Sequence, residues 1–529
     1  MALNQEVKVP VPEHGVVKRR MGDKIYLYYA TAVYRNEKGQ PTSDRVSIGR
    51  YDEKTGMLIP NRNYYEVYLK QPQPYSGAIR DCGVYSVFTE IIKKYGIEKT
   101  LKKYFPEQYK SLLTISQYML SEGNVMYYID EYTETHSNAL NGVLSDAECS
   151  RVFSGLREED IRLFLREWMK QMKPNEYIAY DVTSISTYAK NIPEAEWGYN
   201  RDREKLPQIN LGMYYGEESR LPLYYRIYPG SISDKAHLAY MAEDNRLING
   251  EKIRYVMDRG FYSADNLRLL AEKGHRFVIA LPGGLRYCHE LIQKHRGELV
   301  NASGNRIGGQ HLYGMKTECS ELGFRMNVHI YYDPEKAFHE SEALYELLDR
   351  QENDLAHMEE PPDRKLHYDK YFFINRSKDG KLGYTRNNKA IDEELERCGF
   401  FLIAETDFRK TTAEILEIYR RRDMVEKNFD DLKNGIDFKR VRTHDPDVLR
   451  GKMFVSFLTL IVRSYMANML SDTDLPMKKV LLELDKLKTL QLSPASKPRL
   501  INPPTKLVRD ILSRLDVSPD LVCDNSAGI

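Results

Sequence analysis

The sequence predicts an α/β fold: a mixed sheet with flanking helices, preceded by a β-rich module and a helical module. Three observations carry this. The run EYIAYDVTSIS (176–186) reads as a strand that ends at Asp181, and QINLGMYYG (208–216) and RLPLYYRIYPG (220–230) read as two more, with a turn at Glu217–Ser219. Helix and strand patterns then alternate through DKAHLAYMAEDNRLI (234–248), KIRYVMD (252–258), SADNLRLLAEKG (263–274) and RFVIALP (276–282), an order that builds a sheet with helices on its faces. The chain departs for more than a hundred residues before FFLIAETD (400–407) returns as a strand and leads into a helix pattern over 411–436.

The remaining elements follow in order. Residues 1–70 form a β-rich module, with KIYLYYATAVY (24–34) and SDRVSIGRY (43–51) alternating on either side of the NEKGQ turn. Lys18, Arg19, Arg20, Lys24, Arg35, Arg45 and Arg50 give it a basic excess that suits DNA phosphates and equally suits a solvated surface. Residues 71–81, with QPQPYSG at their start, read as a linker. From 82 to 172 the pattern is helical, a module expected to contact DNA, although no helix-turn-helix signature stands out. Residues 174–283 and 399–470 form the two parts of the core, and 284–398 is mixed. There HLYGMKTEC, RMNVHIYYD and DKYFFINR read as strands, while 338–363 carries nine acids and one base and reads as a solvated helix facing away from DNA. Residues 471–529 form a helical tail.

Composition narrows the class. A chain of 529 residues exceeds what one core usually fills. Six cysteines without a CxxC spacing argue against a zinc ribbon or a disulfide framework and suit a reducing compartment. No apolar run is long enough to span a membrane; 453–470 is interrupted by Arg463 and reads as a buried helix. The N-terminus lacks a signal-peptide core, so a cytoplasmic location is expected. With a formal net charge of +1, any nucleic-acid surface has to be local.

The helix pattern at 411–436 concentrates the chemistry. At ~100° per residue, Tyr419, Arg422, Glu426 and Lys433 fall within an arc of about 60°, beside a stripe of Ile418, Val425, Phe429, Leu432 and Ile436. Thr411 and Thr412 are candidate caps and Gly435 a candidate stop. Helix phase alone also allows a solvated face with an Arg422–Glu426 pair. The spacing Y-x2-R-x3-E-x6-K, however, resembles the signature of DDE transposases of bacterial insertion sequences. Two acids upstream extend the match: Asp181 after the apolar run of 176–180, and Asp258 in KIRYVMDRGFYS (252–263), between a strand and a helix start. Each alone is equally read as a buried or capping Asp; together with Glu426 they match the family pattern residue by residue. The resemblance covers roughly 174–282 and 400–466.

The resemblance implies an RNase H-like catalytic core with an inserted α+β subdomain at 284–398. It implies cleavage of double-stranded DNA at the element's terminal inverted repeats and strand transfer into target DNA, by a homodimer in a bacterial cytoplasm. Asp181, Asp258 and Glu426 are then ligands of Mg²⁺, for which Mn²⁺ can substitute. Two such ions stabilise the attacking and leaving oxygens of a phosphodiester, and hard cations take carboxylate oxygens rather than His or Cys. Tyr419, Arg422 and Lys433 are the matching DNA contacts, and Lys439, Arg440 and Arg442 a basic cluster able to hold phosphate. Trp197 and Arg201, in WGYNRDREKLPQINLG (197–212), are candidate DNA contacts, with core packing and loop anchoring as the alternatives. Some relatives stack a flipped base on a Trp of the insertion; this insertion has none. A metal-dependent nuclease without strand transfer and a catalytically silent DNA-binding descendant are the alternatives from other classes.

Overall fold

The computed structural model describes residues 7–35, 39–71, 78–233, 236, 238, 240, 252–301, 303–360, 362, 367–376, 382–491 and 498–518. The expected helix 234–248 and linker segment 72–77 lie almost wholly outside these. Two compact units divide the chain: one comprises 1–89, 126–146 and 475–529, the other 90–125 and 147–474.

The first unit begins with an antiparallel meander of β1 (Val16–Met21), β2 (Lys24–Arg35), β3 (Pro41–Asp52) and β4 (Met57–Pro60). Alternation sends Leu27, Ile48 and Leu58 to one side, where they pack with Tyr64 and Tyr65. A separate small sheet joins β5 (Ala78–Asp81) to the strands at 488–491 and 499–500.

The second unit is organised by a mixed sheet. Its antiparallel half is β6 (Tyr177–Thr187), β7 (Gln208–Gly216) and β8 (Pro222–Pro229). β9 (Arg254–Met257) and β10 (Arg276–Ala280) add in parallel on the other edge of β6. The stretch 284–398 divides its strands. β11 (Tyr313–Cys319) and β12 (Met326–Tyr332) extend the main sheet, whereas β13 (Phe372–Arg376) and β14 (Leu382–Arg386) form a hairpin of their own. β15 (Phe400–Glu405) inserts between β12 and β10, and β16 (Arg440–Val441) pairs in parallel with the end of β6. The acidic stretch forms the helix Pro334–His357, whose Leu344, Leu348 and Leu355 form a core with Phe372 and Ile391. Its acids Asp349 and Glu352 pair with Arg386 of β14.

Strand alternation gives the main sheet two apolar faces. Ile178, Tyr180, Tyr255, Met257, Phe277 and Ile279 pack on one side with Leu267 and Leu270 of the helix Ala264–Glu272. Tyr177, Val256 and Val278 pack on the other with Ile415, Leu416 and Ile418 of the helix Thr412–Arg421.

The helix Pro446–Met469 is buried along nearly its whole circumference, as expected for 453–470. Gly451 permits this: a Cβ there would lie 2.3 Å from the Phe153 carbonyl oxygen. Arg463, which interrupts the apolar run, donates to Asp431 at 2.7 Å. Among the described residues no helix is long and apolar enough to cross a membrane.

Lys452 lies on the same helix, 6% exposed, and burial, reinforced by Arg442, pushes its pKa from 10.5 down to about 8. Below about pH 8 both folded and unfolded chains carry the charge, and the fold bears the burial cost. Between about 8 and 10.5 the folded chain binds fewer protons, so stability rises with pH. Lys452→Met is therefore expected to stabilise the protein by about 3 kcal/mol at neutral pH, with the gain shrinking as pH rises through that window. Urea unfolding of both proteins at several pH values checks it; a destabilised variant, or a stability difference from the wild type that does not change between about pH 8 and 10.5, would contradict it.

Candidate active site

The first two acids are set by strand register. β6 and β9 run parallel with Tyr177 opposite Arg254, Ile178 opposite Tyr255 and Ala179 opposite Val256. The ladder ends there, and the same offset carried two residues further would bring Asp181 level with Asp258. Both then point to the face covered by helix 412–421, because side chains two apart share a side of the sheet. β6 does not end at Asp181, as the sequence suggested, but continues to Thr187 because β7 pairs with it down to Ser186. On its other edge the β9 ladder stops at Ala179, and β16 joins only at Ser186. Asp181 lies on the stretch of β6 between these two pairings.

Asp258 leaves β9 in an extended conformation and starts a short 3₁₀ turn. Ser263, not Asp258, caps the helix Ala264–Glu272, accepting from the Asn266 N–H at 3.1 Å. The Asp258 carboxylate instead accepts from the Tyr419 hydroxyl at 3.0 Å.

The stretch carrying Tyr419, Arg422, Glu426 and Lys433 is segmented rather than one helix. Thr412–Arg421 and Asp423–Asp430 are α-helical, Arg422 forms the joint, and a π-helical turn spans Asp431–Gly435. At the joint the Arg422 N–H bonds to the Tyr419 carbonyl at 3.2 Å and the Val425 N–H to the Arg422 carbonyl at 3.0 Å, which tightens the winding there. Phase arithmetic assumes uniform winding and cannot register this. The predicted stripe of Ile418, Val425, Phe429, Leu432 and Ile436 is nonetheless buried throughout.

The start of this stretch is anchored from below. Thr411 and Glu414 form a capping box. The Tyr331 hydroxyl donates to the Thr412 carbonyl at 2.8 Å, and His329 Nδ1 lies 3.1 Å from the Thr412 hydroxyl. His329 is fully buried beside Glu405 of β15. Glu405 in turn takes hydrogen bonds from Asn327 and from the backbone of Asp407 and Phe408. Burial alone would raise its pKa; the hydrogen bonds outweigh that and hold it below 4.5.

Each candidate acid meets a different donor. Asp181, 3% exposed, faces the Arg201 guanidinium at 3.3 Å. Arg422 Nη1 lies 3.0 Å from Glu426 Oε1, with the Arg422 side chain 12% exposed. Arg422 interacts electrostatically with Asp258, Glu426 and Asp181 together. Burial pushes the Asp181 pKa up; Arg201, the Val182 N–H and Arg422 pull it back. Tyr419 is held protonated, first by burial and then by Asp258, so it remains a donor.

The outer candidates fall into two groups. Lys433 Nζ lies 2.7 Å from Asp202, Arg440 Nη2 2.7 Å from Glu204 and Arg442 Nη1 2.7 Å from Asp437. Lys439 and Trp197 are exposed, Trp197 at 67%. Sequence reasoning missed Asp202 and Glu204. With Arg201 they strap the β6–β7 connection to three elements: Arg201 to β6, Asp202 to the π turn and Glu204 to β16. Alternating charges in RDRE were the visible signal, but nothing local named their partners. The connection is further fixed by Asn200 donating to Ser186 and by Gly198, where a Cβ would meet the Gly230 carbonyl at 1.9 Å.

The donor set is chemically suited to a hard divalent cation: three carboxylates and no His or Cys. Asp181 is buried where its ionised form depends on neighbouring positive charge, which favours a cation there. Among the described residues, no three acid, His or Cys side chains converge to hold a metal ion in the observed rotamers.

No curated protein matches this chain. A cryo-EM structure of the piggyBac transposase synaptic complex with hairpin DNA aligns over 83% of this chain and 83% of that one, at 12% identity and a TM-score of 0.36. The family model described as the transposase DDE domain matches residues 173–462, more than half of the chain and every element that carries Asp181, Asp258, Glu426 and their partners, so the chain belongs to the DDE-domain transposases.

Proposed function

We propose that this transposase serves a bacterial insertion sequence, cutting DNA at the element's ends and joining them to target DNA with Asp181, Asp258 and Glu426 as its Mg²⁺ ligands. The observation that supports this reading best is the β6–β9 register, Tyr177 opposite Arg254 to Ala179 opposite Val256, on the face covered by the helix Thr412–Arg421, whose Tyr419 donates to Asp258. The order β8-β7-β6-β9-β10, three antiparallel strands with two parallel ones added, supports an RNase H-like core. Metal ions at these acids would stabilise the charge that develops on attacking and leaving oxygens.

The chain's own residues do the positioning. Tyr419 donates to Asp258 and orients its carboxylate. Arg422 pairs with Glu426 and feels the charge of Asp258 and Asp181, and its guanidinium, with planar paired donors, is suited to a phosphate oxygen bound there. Arg201 pairs with Asp181 from the β6–β7 connection. Lys433, Lys439, Arg440 and Arg442 lie beyond the acids and supply cations for neighbouring phosphates, with Trp197 exposed on the same connection as Arg201. A DNA complex is expected to contain two copies, one for each element end.

Asp181→Asn, Asp258→Asn and Glu426→Gln should each lower strand cleavage by at least about 100-fold, since even groups that only orient metal ligands are worth 10–100-fold. DNA affinity should hold, because phosphate contacts come from other side chains. Asp430→Ala, on the same helix but bonded to Asn434, should cut normally. A mutant acid that cleaves at the wild-type rate loses its place in the triad. Joined products in the same assay distinguish transposition from cleavage alone.

Lys433→Ala should lower the log–log salt slope of binding to the element's end by about one unit. Asp202→Ala should raise affinity by releasing the lysine. If Lys433→Ala leaves the slope unchanged, the lysine serves Asp202 alone.

A further inference from the structure

The N-terminal sheet has two chemically different faces. Val16, Lys18 and Arg20 stand opposite Tyr29, Leu27 and Ile25, and Leu27 lies in the core with Ile48 and Leu58, which makes this the inner face. Its cations are engaged at home. The Lys18 ammonium lies 3.5 Å from the centre of the Tyr51 ring, and Arg20 Nη2 lies 3.0 Å from Glu53 Oε1.

The outer face differs. Arg19 stands opposite Tyr26, Tyr26 opposite Arg50, Lys24 opposite Met21 and Arg45 opposite Ala30. Among the described residues no carboxylate pairs with Arg19, Lys24, Arg45 or Arg50; the acid on this face, Asp52, is taken by Lys8 at 2.6 Å. Four uncompensated cations on one face of a short sheet attract a polyanion. Strands ~4.8 Å apart place Arg19 and Arg50 about 10 Å from each other across β2, with Lys24 ~7 Å along it, a spacing that long side chains span to reach separate phosphates.

The rings decide which polyanion. Tyr28 is half-buried, with the Arg19 guanidinium 5.8 Å from its centre and its hydroxyl 3.6 Å from Met21 Sδ. The face thus offers charge and hydroxyls rather than open rings. That suits the backbone of a duplex and not unpaired bases, which need bare aromatic faces.

We propose that the outer face of β1–β3 is a second, sequence-independent contact for the phosphate backbone of duplex DNA, carried by Arg19, Lys24 and Arg50 with Arg45 at its margin. It rests on the reading of the chain as an enzyme of DNA, but uses none of the residues assigned to cleavage.

The test uses the full chain and a fluorescein-labelled duplex of mixed sequence, about 30 base pairs or three helical turns long, titrated by anisotropy between about 50 and 200 mM salt. The triple variant Arg19→Gln, Lys24→Gln, Arg50→Gln should weaken binding at least about tenfold at the low-salt end and lower the log–log slope by about two to three units. The inner-face pair Lys18→Gln, Arg20→Gln should leave the slope unchanged. Replacing the same three outer residues by Glu should weaken binding further, while circular dichroism and the melting temperature stay those of the wild type. A wild-type slope in the triple variant overturns the proposal. So does a variant whose DNA binding is intact but whose sedimentation shows lost self-association, since the face would then take a second copy of the chain. Neither result touches the active-site assignment, which stands or falls on cleavage by Asp181→Asn.

Discussion

The arrangement of the second unit depends on the parallel pairing of β6 with β9. A shift by one residue would turn either strand's side chains to the opposite face of the sheet. Asp181 or Asp258 would then enter the apolar layer of Tyr180, Tyr255 and Met257, where an ionised carboxylate has no partner. The apolar pattern forbids that shift, since Tyr177 and Val256 must meet Ile415 and Ile418 on the other side. Core packing and acid placement are therefore one constraint. The hydrophobic layers fix the register, and the register turns Asp181 to the side of the sheet from which Tyr419 donates to Asp258.

Burying an acid creates a second demand. Asp181, 3% exposed, loses the hydration that its ionised form needs. The fold answers with cations from two directions: Arg422 from the joint in the Glu426 stretch and Arg201 from the β6–β7 connection. The joint sets Arg422 against Glu426, and the β6–β7 connection is tied down by Lys433 pairing with Asp202 and Arg440 with Glu204. A polar network at this depth is stable only when its members are satisfied. The extended strap of Arg201, Asp202 and Glu204 meets that demand across three elements, from loop positions that carry no periodic signal of their own.

Legibility in the sequence tracked the range of the interaction concerned. Strands and apolar stripes were readable because periodicity is local, and every member of the predicted stripe from Ile418 to Ile436 is buried. The cap at Thr411 was readable for the same reason. The joint at Arg422 was not, since it reflects local tightening that a fixed angle per residue averages away. The continuation of β6 past Asp181 was hidden because it depends on pairing with β7. The partners of Lys433 and Arg440 were hidden as well, since a cation's pairing with an acid more than two hundred positions away leaves no trace in its neighbours. Asp181, Asp258 and Glu426 were singled out by resemblance to a family pattern; spacing alone left each open to a bland reading.

A net charge of +1 over 529 residues suggests a molecule indifferent to polyanions, yet charge acts through where it is left unpaired. On the inner face of the N-terminal sheet, Lys18 and Arg20 are absorbed by Tyr51 and Glu53, whereas the intervening Arg19 is turned outward by the two-residue period of the strand. A run such as VVKRRM thus divides its cations between two environments without any change in composition. The acidic helix Pro334–His357 shows the same principle with the opposite sign, since its Asp349 and Glu352 are claimed by Arg386 of the neighbouring hairpin. Summed charge cancels acids and bases wherever they lie. The electrostatic character of each surface follows instead from strand alternation, which decides the side chains that neutralise one another and those that face outward together.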